Sequence, residues 1–501
     1  MCPQATTKWE YVQPVFILDY LNNLPFTLST DISSYIYVPT IQNPLVSEDC
    51  LFLDITVPKK VFDRTKAKKS TGKNLAPVLV WIYGGGFVRG DKTDENPRGL
   101  VERSTVAGHD GVVFVTLNYR VSKTITVCCQ NTNVSQTGAF GWLGGDSVTS
   151  NGTANAAFHD QRFALDWVNK NIHLFGGDSS RVTVMGGSAG GASILHHITA
   201  YGGDQGAAPF QQAIIQSPGW VPVISKEAQE ETLQEFLGFL NVGTIEEART
   251  LSSDKLIAAN SDQIATKSKW GEFTYGPTVD GTFVPALPGQ LLLEGKFDRN
   301  VNVMVTHVAD EALIFTSPES YKSTGLASQM SNFIPNSPKK VTDYILDVLY
   351  PPVYNGSYGY KDSVARSALV LSDMLFQCNT DYINRAFEKT YAYEFNIPPA
   401  LHGQDSSYTF YTTGEPVINN TDVISALWSI RNATVAMAMQ DYFLSFTEHG
   451  VPKSSLAPTM EPWAPRAQLM RIEHDNIQPA HDSTNNPRCR FWQEATASYS
   501  Q

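Results

Sequence analysis

A serine set between glycines at the end of a β-rich run is the first group in this chain with an evident chemical use. Arg181-Val182-Thr183-Val184-Met185 reads as a strand, Gly186-Gly187-Ser188-Ala189-Gly190 as a turn, and Gly191-Ala192-Ser193-Ile194-Leu195-His196-His197 as the start of a helix. Such a turn is so tight that side chains at the flanking glycines would strike the neighbouring strand and helix. The serine oxygen is pushed out above the positive end of the helix, as a nucleophile for acyl carbon requires. Attack on a carbonyl builds negative charge on its oxygen. A second glycine-rich strand end, Val80-Trp81-Ile82-Tyr83-Gly84-Gly85-Gly86-Phe87, offers donors for it, because successive glycines leave backbone N–H groups unobstructed. The expected donors are the amides of Gly85, Gly86 and Ala189.

Both turns need strands to hold them. Apolar β-rich runs at Leu51 to Val57, Val78 to Tyr83, Val112 to Asn118, Val182 to Met185, Gln212 to Gln216 and Val301 to Thr306 are separated by helix-like stretches such as Phe158 to Asn171. Alternation of this kind predicts an α/β fold with a large, mostly parallel sheet buried on both faces, and ligands at the strand ends. No repeat or linker divides the 501 residues, so one domain over 1–501 is expected. Only 17% of side chains are charged, against roughly 25% in an average soluble domain, which excludes a disordered or coiled-coil protein. The net charge of -12 leaves no basic surface for phosphates, so nucleic acid is not an expected partner. No apolar run reaches the roughly 18 residues of a membrane helix.

Seven segments together resemble the type-B carboxylesterase/lipase family, the α/β-hydrolases that include cholinesterases and secreted fungal lipases and esterases. They are Ser47-Glu48-Asp49-Cys50-Leu51-Phe52-Leu53-Asp54, Tyr83 to Phe87, Asn118-Tyr119-Arg120, Asp160-Gln161-Arg162-Phe163-Ala164-Leu165, Phe175-Gly176-Gly177-Asp178, Gly186 to Gly190 and Cys489-Arg490-Phe491-Trp492. The resemblance implies an α/β-hydrolase fold and a serine carboxylic-ester hydrolase without cofactor or metal, working through an acyl-enzyme on small-molecule or lipid esters. It also implies a triad in the order serine, acid, histidine. Asp310-Glu311-Ala312 follows the Val301 to Thr306 strand and is similar to the family's Asp-Glu-Gly triplet, whose glutamate is catalytic; Glu311 is therefore the expected acid, with Asp310 structural and Ala312 in place of glycine. Of the histidines at 402, 449, 474 and 481, only His402 follows a clean strand, Thr390 to Asn396, and it is the expected base. His196 and His197 are expected to pack within their helix.

Departures from the family narrow the substrate. Cholinesterases carry a glutamate just before the nucleophile and a tryptophan ahead of the Glu-Asp-Cys segment; here these positions are Gly187 and Thr40, so choline esters are disfavoured and neutral acyl esters fit. Phe87 and Trp220 are candidates for the acyl side. Cys2 and Cys50 resemble the disulfide that closes a flap over the family's active site, and Cys378 and Cys489 are candidates for a second bridge. The intervening aromatic segment, with Trp9, Tyr11, Phe16, Tyr20, Phe26, Tyr35 and Tyr37, suits a flap over lipid-like substrates and equally a packed Ω-loop. Sequons at Asn151, Asn355, Asn419 and Asn432, with paired cysteines, point to a secreted glycoprotein, although Met1-Cys2-Pro3-Gln4 is no secretory signal.

Two features suggest that the reading frame departs from the mature gene product. If Cys2 begins the flap, the family's signal peptide and first strands are expected upstream of Met1, and their loss would bare a sheet edge. Residues 121–136 separate Asn118-Tyr119-Arg120 from Thr137-Gly138-Ala139-Phe140-Gly141, which the family joins closely. Val121-Ser122-Lys123 can be written GTAAGTAAA, Thr132-Asn133 ACTAAC and Gln136 CAG, as in a fungal intron, and sixteen codons keep the frame. The segment is expected to be retained intron, making Cys128, Cys129 and the sequon at Asn133 artefacts. A non-catalytic binding or adhesion protein on the same fold, and an inactive product of a damaged gene, are the rival readings.

Overall fold

The valine-rich runs line up side by side in one sheet. The computed structural model describes residues 2, 5–26, 47–66, 75–106, 109–120, 138–221, 225–415 and 429–499. Thr40, Tyr35, Tyr37, Asn419, the sequon at Asn133, Cys128, Cys129 and the suspected intron at 121–136 lie outside the described residues. Among the described residues, nine strands, β1 (Leu53–Thr56), β2 (Ala76–Ile82), β3 (Val113–Leu117), β4 (Gly177–Gly187), β5 (Gln212–Gln216), β6 (Asn302–Val308), β7 (Thr390–Phe395), β8 (Gln468–Ile472) and β9 (Ile477–His481), stand in the order β1-β3-β2-β4-β5-β6-β7-β8-β9. All neighbours are parallel except the two edge pairs, β1 with β3 and β8 with β9. Every residue of β2 and β3 is buried, as unbroken apolar strands covered on both faces must be.

Register aligns the functional turns. Ile82 pairs with Gly186, Gly187 with Gln216, and Gln216 with Thr306, so the carboxyl ends of four strands finish level. The chain leaves β2 toward β3 on one side and continues through β4 on the other. The turns after β2 and β4 therefore face each other where the strand order reverses, the crevice in which such sheets bind ligands. The main helices behind these turns are α2 (Ala156–Asn171), α3 (Ala189–Ile198) and α4 (Ala433–His449). A further helix, α1 (Trp9–Leu21), lies within the loop closed by the Cys2–Cys50 disulfide; the second bridge is Cys378–Cys489. Among the described residues, no helix is long and apolar enough to cross a membrane.

Candidate active site

Ser188 sits between β4 and α3 with φ 57° and ψ -124°. A non-glycine residue there costs on the order of 1–3 kcal/mol and persists only where its surroundings fix it. They do so through hydrogen bonds: the Ser188 amide donates to the Gln216 carbonyl at 2.9 Å, and the Ser188 carbonyl accepts from Ala192 at 2.9 Å. The glycines around it are sterically required. A Cβ on Gly190 would lie 2.1 Å from the Ile82 carbonyl oxygen, one on Gly186 2.7 Å from the same atom, and one on Gly84 2.9 Å from the Ser188 side chain. Gly187 differs, with 3.6 Å to the nearest atom of Trp81.

His402 and Glu311 reach Ser188 from the ends of β7 and β6. His402 Nε2 lies 2.7 Å from Ser188 Oγ, and His402 Nδ1 lies 2.5 Å from Glu311 Oε2. Glu311 has no exposed surface, and its other oxygen accepts from the Val308 amide at 2.9 Å. The neighbouring Asp310 donates its amide to the Ala400 carbonyl at 3.0 Å, which ties the acid loop to the histidine loop. Burial, and next the charge of Glu311, pushes the Asp310 carboxyl up to about 7. Ala312 takes φ -102°, so its replacement of glycine strains nothing. The His196 ring is turned back on its own helix at the Ala192 carbonyl, 2.8 Å away, and burial lowers its pKa to about 4. His197 meets Gln161 at 2.9 Å, so both rings serve packing.

Two of the three glycines in the turn after β2 are in left-handed backbone, Gly85 at φ 110° and Gly86 at φ 62°. Its carbonyl at Gly85 accepts from Val88 at 3.2 Å and Arg89 at 3.1 Å, and the Arg89 guanidinium pairs with Glu10 of α1. Ala189 opens α3. Behind Ser188 lies a buried polar group that sequence reasoning passed over. Gln216 Nε2 reaches Tyr393 Oη at 3.0 Å, Asp405 Oδ2 at 3.1 Å and Thr409 Oγ1 at 3.1 Å. Burial pushes the Asp405 carboxyl up to about 6. A glutamine inside the apolar strand Ala213-Ile214-Ile215-Gln216 was the available signal, because a buried amide must find partners.

A cavity opens on Ser188 and Gly86, and both sequence candidates for substrate contact, Phe87 and Trp220, line it. Phe273, Phe315 and Phe376 also line it and were not singled out by sequence, since an aromatic residue in a wall looks like any other in a core. Among the described residues, one cluster has the spacing of metal ligands, Asp373, Cys378 and Cys489, and both of its sulfurs are joined in the disulfide.

The chain matches the carboxylesterase family over residues 1–492. It belongs to that family. It is 36% identical to carboxylesterase patB of Aspergillus clavatus over 98% of this chain and 85% of that protein, and 29% identical to a secreted lipase of Arthroderma benhamiae over 82% and 73%. The crystal structure of Aspergillus niger EstA superposes with a TM-score of 0.74 at 23% identity, covering 91% of this chain and 86% of that one. The chain is thus a carboxylic ester hydrolase of α/β-hydrolase fold, as the motifs around Ser188 imply.

Proposed function

We propose that Ser188, His402 and Glu311 form the catalytic triad of this carboxylesterase and that the amides of Gly85, Gly86 and Ala189 receive the oxyanion. The observation that carries this is the unbroken line of contacts from Ser188 Oγ through the His402 ring to Glu311. Ser188 Oγ attacks the ester carbonyl as His402 Nε2 takes its proton. The carbonyl electrons move onto oxygen, facing the glycine amides. Collapse breaks the bond to the alcohol, which leaves with the proton from Nε2, and water repeats both steps to free the acid. Glu311, buried against the imidazole, orients the ring and stabilises its cation.

With Gly187 beside the nucleophile, no negative charge is available there for a quaternary ammonium group, which favours neutral esters. Labelling by a fluorophosphonate with peptide mapping tests the assignment. Ser188 should carry the label, Ser188→Ala should lose roughly a millionfold in kcat, and Glu311→Gln about ten-thousandfold. A label on another serine would reassign the nucleophile.

The enzyme is secreted in this reading, as several relatives are by name. Asn151 and Asn355 are exposed and offer glycan acceptors. Asn432 is less suited: it is half-buried, its Oδ1 caps α4 at Thr434 and its Nδ2 donates to the His474 carbonyl at 2.9 Å, whereas the side chain of the exposed Asn151 pairs only with a surface carboxylate, Glu246. The whole of 1–501 is read as one hydrolase domain interrupted by the 121–136 segment. A Cβ on Gly141 would lie 2.8 Å from the Arg120 carbonyl oxygen, so the two flanks of that segment touch, which supports direct joining.

A further inference from the structure

Building on the triad proposed above, we propose that Trp9 sets the length of acyl chain that the enzyme accepts, by holding Phe273 and Phe315 inside the acyl cavity. The cavity meets Ser188 and the oxyanion turn at Gly86 but is not lined by His402, beside which the alcohol must leave. The group that enters it is therefore the acyl substituent. Its volume is about 30 Å³, against roughly 10–15 Å³ for one water, which fits a methyl or ethyl group and disfavours a longer acyl chain.

Phe273, Phe315 and Phe376 form one side of it. A Cβ on Gly86 would lie 2.5 Å from the Phe273 ring, and one on Gly219 1.9 Å from the Phe376 ring, so both rings press on backbone at the reacting centre. Phe315 stacks on Phe376 at 5.2 Å between centroids. Trp9 stands behind them, 5.6 Å from Phe273 and 6.2 Å from Phe315. Its indole N–H donates to the carbonyl of Glu272 at 3.0 Å, fixing the residue next to Phe273. The helix that bears Trp9 is itself fastened, through the Cys2–Cys50 bridge, the Ala5 amide on the Val88 carbonyl and the Glu10–Arg89 pair. These contacts make it a fixed wall. Helix α1 thus reaches the chemistry indirectly, and Trp9 is a specificity residue that does not touch substrate.

The test compares kcat/KM for p-nitrophenyl acetate, butyrate and octanoate, with active sites counted by fluorophosphonate titration. The unaltered enzyme should favour acetate over octanoate at least a hundredfold. Trp9→Ala should raise the octanoate-to-acetate ratio at least tenfold, as a change of one or two methylenes of pocket depth does. Damage to the fold would lower both rates together. Trp9→Leu, which keeps an apolar side chain at the same place but removes the ring and its hydrogen bond to Glu272, should shift the ratio in the same direction and decides the matter if Trp9→Ala yields no titratable sites. Titratable enzyme that prefers octanoate, dissolved or emulsified, or a ratio unmoved in the variants, overturns the acyl-length proposal and leaves the triad standing. A chain that neither titrates nor hydrolyses any ester overturns the triad, and the proposal with it.

Discussion

Tyr83 and Tyr119 grip each other across the ends of β2 and β3. The Tyr83 hydroxyl donates to the Tyr119 carbonyl at 2.8 Å, the Tyr119 hydroxyl donates to the Tyr83 carbonyl at 2.7 Å, and the rings stack at 4.4 Å. Burial pushes both phenols far above their usual range, so neither ionises at working pH. The pair anchors the strand end from which Gly84, Gly85 and Gly86 depart. Tyr119→Phe removes the hydroxyl that donates to the buried Tyr83 carbonyl, which should cost about 1–3 kcal/mol. A lowered urea midpoint would show it, with a double-mutant cycle against Tyr83→Phe measuring the coupling.

The glycines of the elbow should separate into two classes. Gly186→Ala and Gly190→Ala drive a methyl group into the Ile82 carbonyl and should yield little soluble, esterase-active protein. Gly187→Ala meets only ordinary contact and should retain most of both. Soluble yield and rate on p-nitrophenyl acetate for the three variants distinguish a steric cause from a general need for glycine in the motif.

One ion cluster makes stability depend on pH. The Asp441 and Glu448 carboxylates on α4 hold the His109 imidazolium up to about 9. Burial would raise the Asp441 carboxyl, but hydrogen bonds from His109, Arg103 and Ser454 bring it down to about 2. The folded histidine has the higher pKa, against about 6.5 unfolded, so its contribution is full below 6.5 and fades as pH rises through 9. Asp441, with the lower folded pKa, contributes above about 4 and loses that contribution as pH falls through 2. His109→Gln should therefore fall short of the parent in urea midpoint at pH 6 and match it near pH 10. An equal deficit at both values would assign His109 a packing role alone.

Excising residues 121–136 should leave the fold intact, because Arg120 and Gly141 already touch. Thermal midpoint and acetate hydrolysis of the shortened chain should equal or exceed those of the full one. Loss of soluble protein on excision would show the segment to be an integral part of the domain.

The parts of this architecture legible in sequence are those where one physical demand dominates. Fully buried parallel strands must be apolar throughout, and β2 and β3 were plain for that reason. The elbow was plain because Gly186 and Gly190 have no steric alternative. Strands β8 and β9 were missed: Gln468–Ile472 alternates only weakly, and Ile477–His481 lies at the sheet edge, half exposed and interrupted by Pro479, so neither pays the full cost of burial that would mark its sequence. Beyond Phe87 and Trp220, the cavity wall was illegible for a different reason. Trp9, Phe273, Phe315 and Phe376 come from distant segments, and only the closed fold brings their rings together. His402 needed both kinds of clue, a clean strand before it and the family resemblance around it.

The Cys378–Cys489 bridge also sets an order on synthesis. Phe376 stands two residues before Cys378, and the partner cysteine leaves the ribosome 111 residues later. The helix Pro487–Tyr499, which carries Cys489, supplies Arg488 to Asp373 at 2.6 Å and Trp492 to Tyr350 at 2.8 Å. A nascent chain that already includes Ser188, Glu311 and His402 still lacks these ties. The segment that carries Phe376 is therefore tied down only when the last part of the chain has been made.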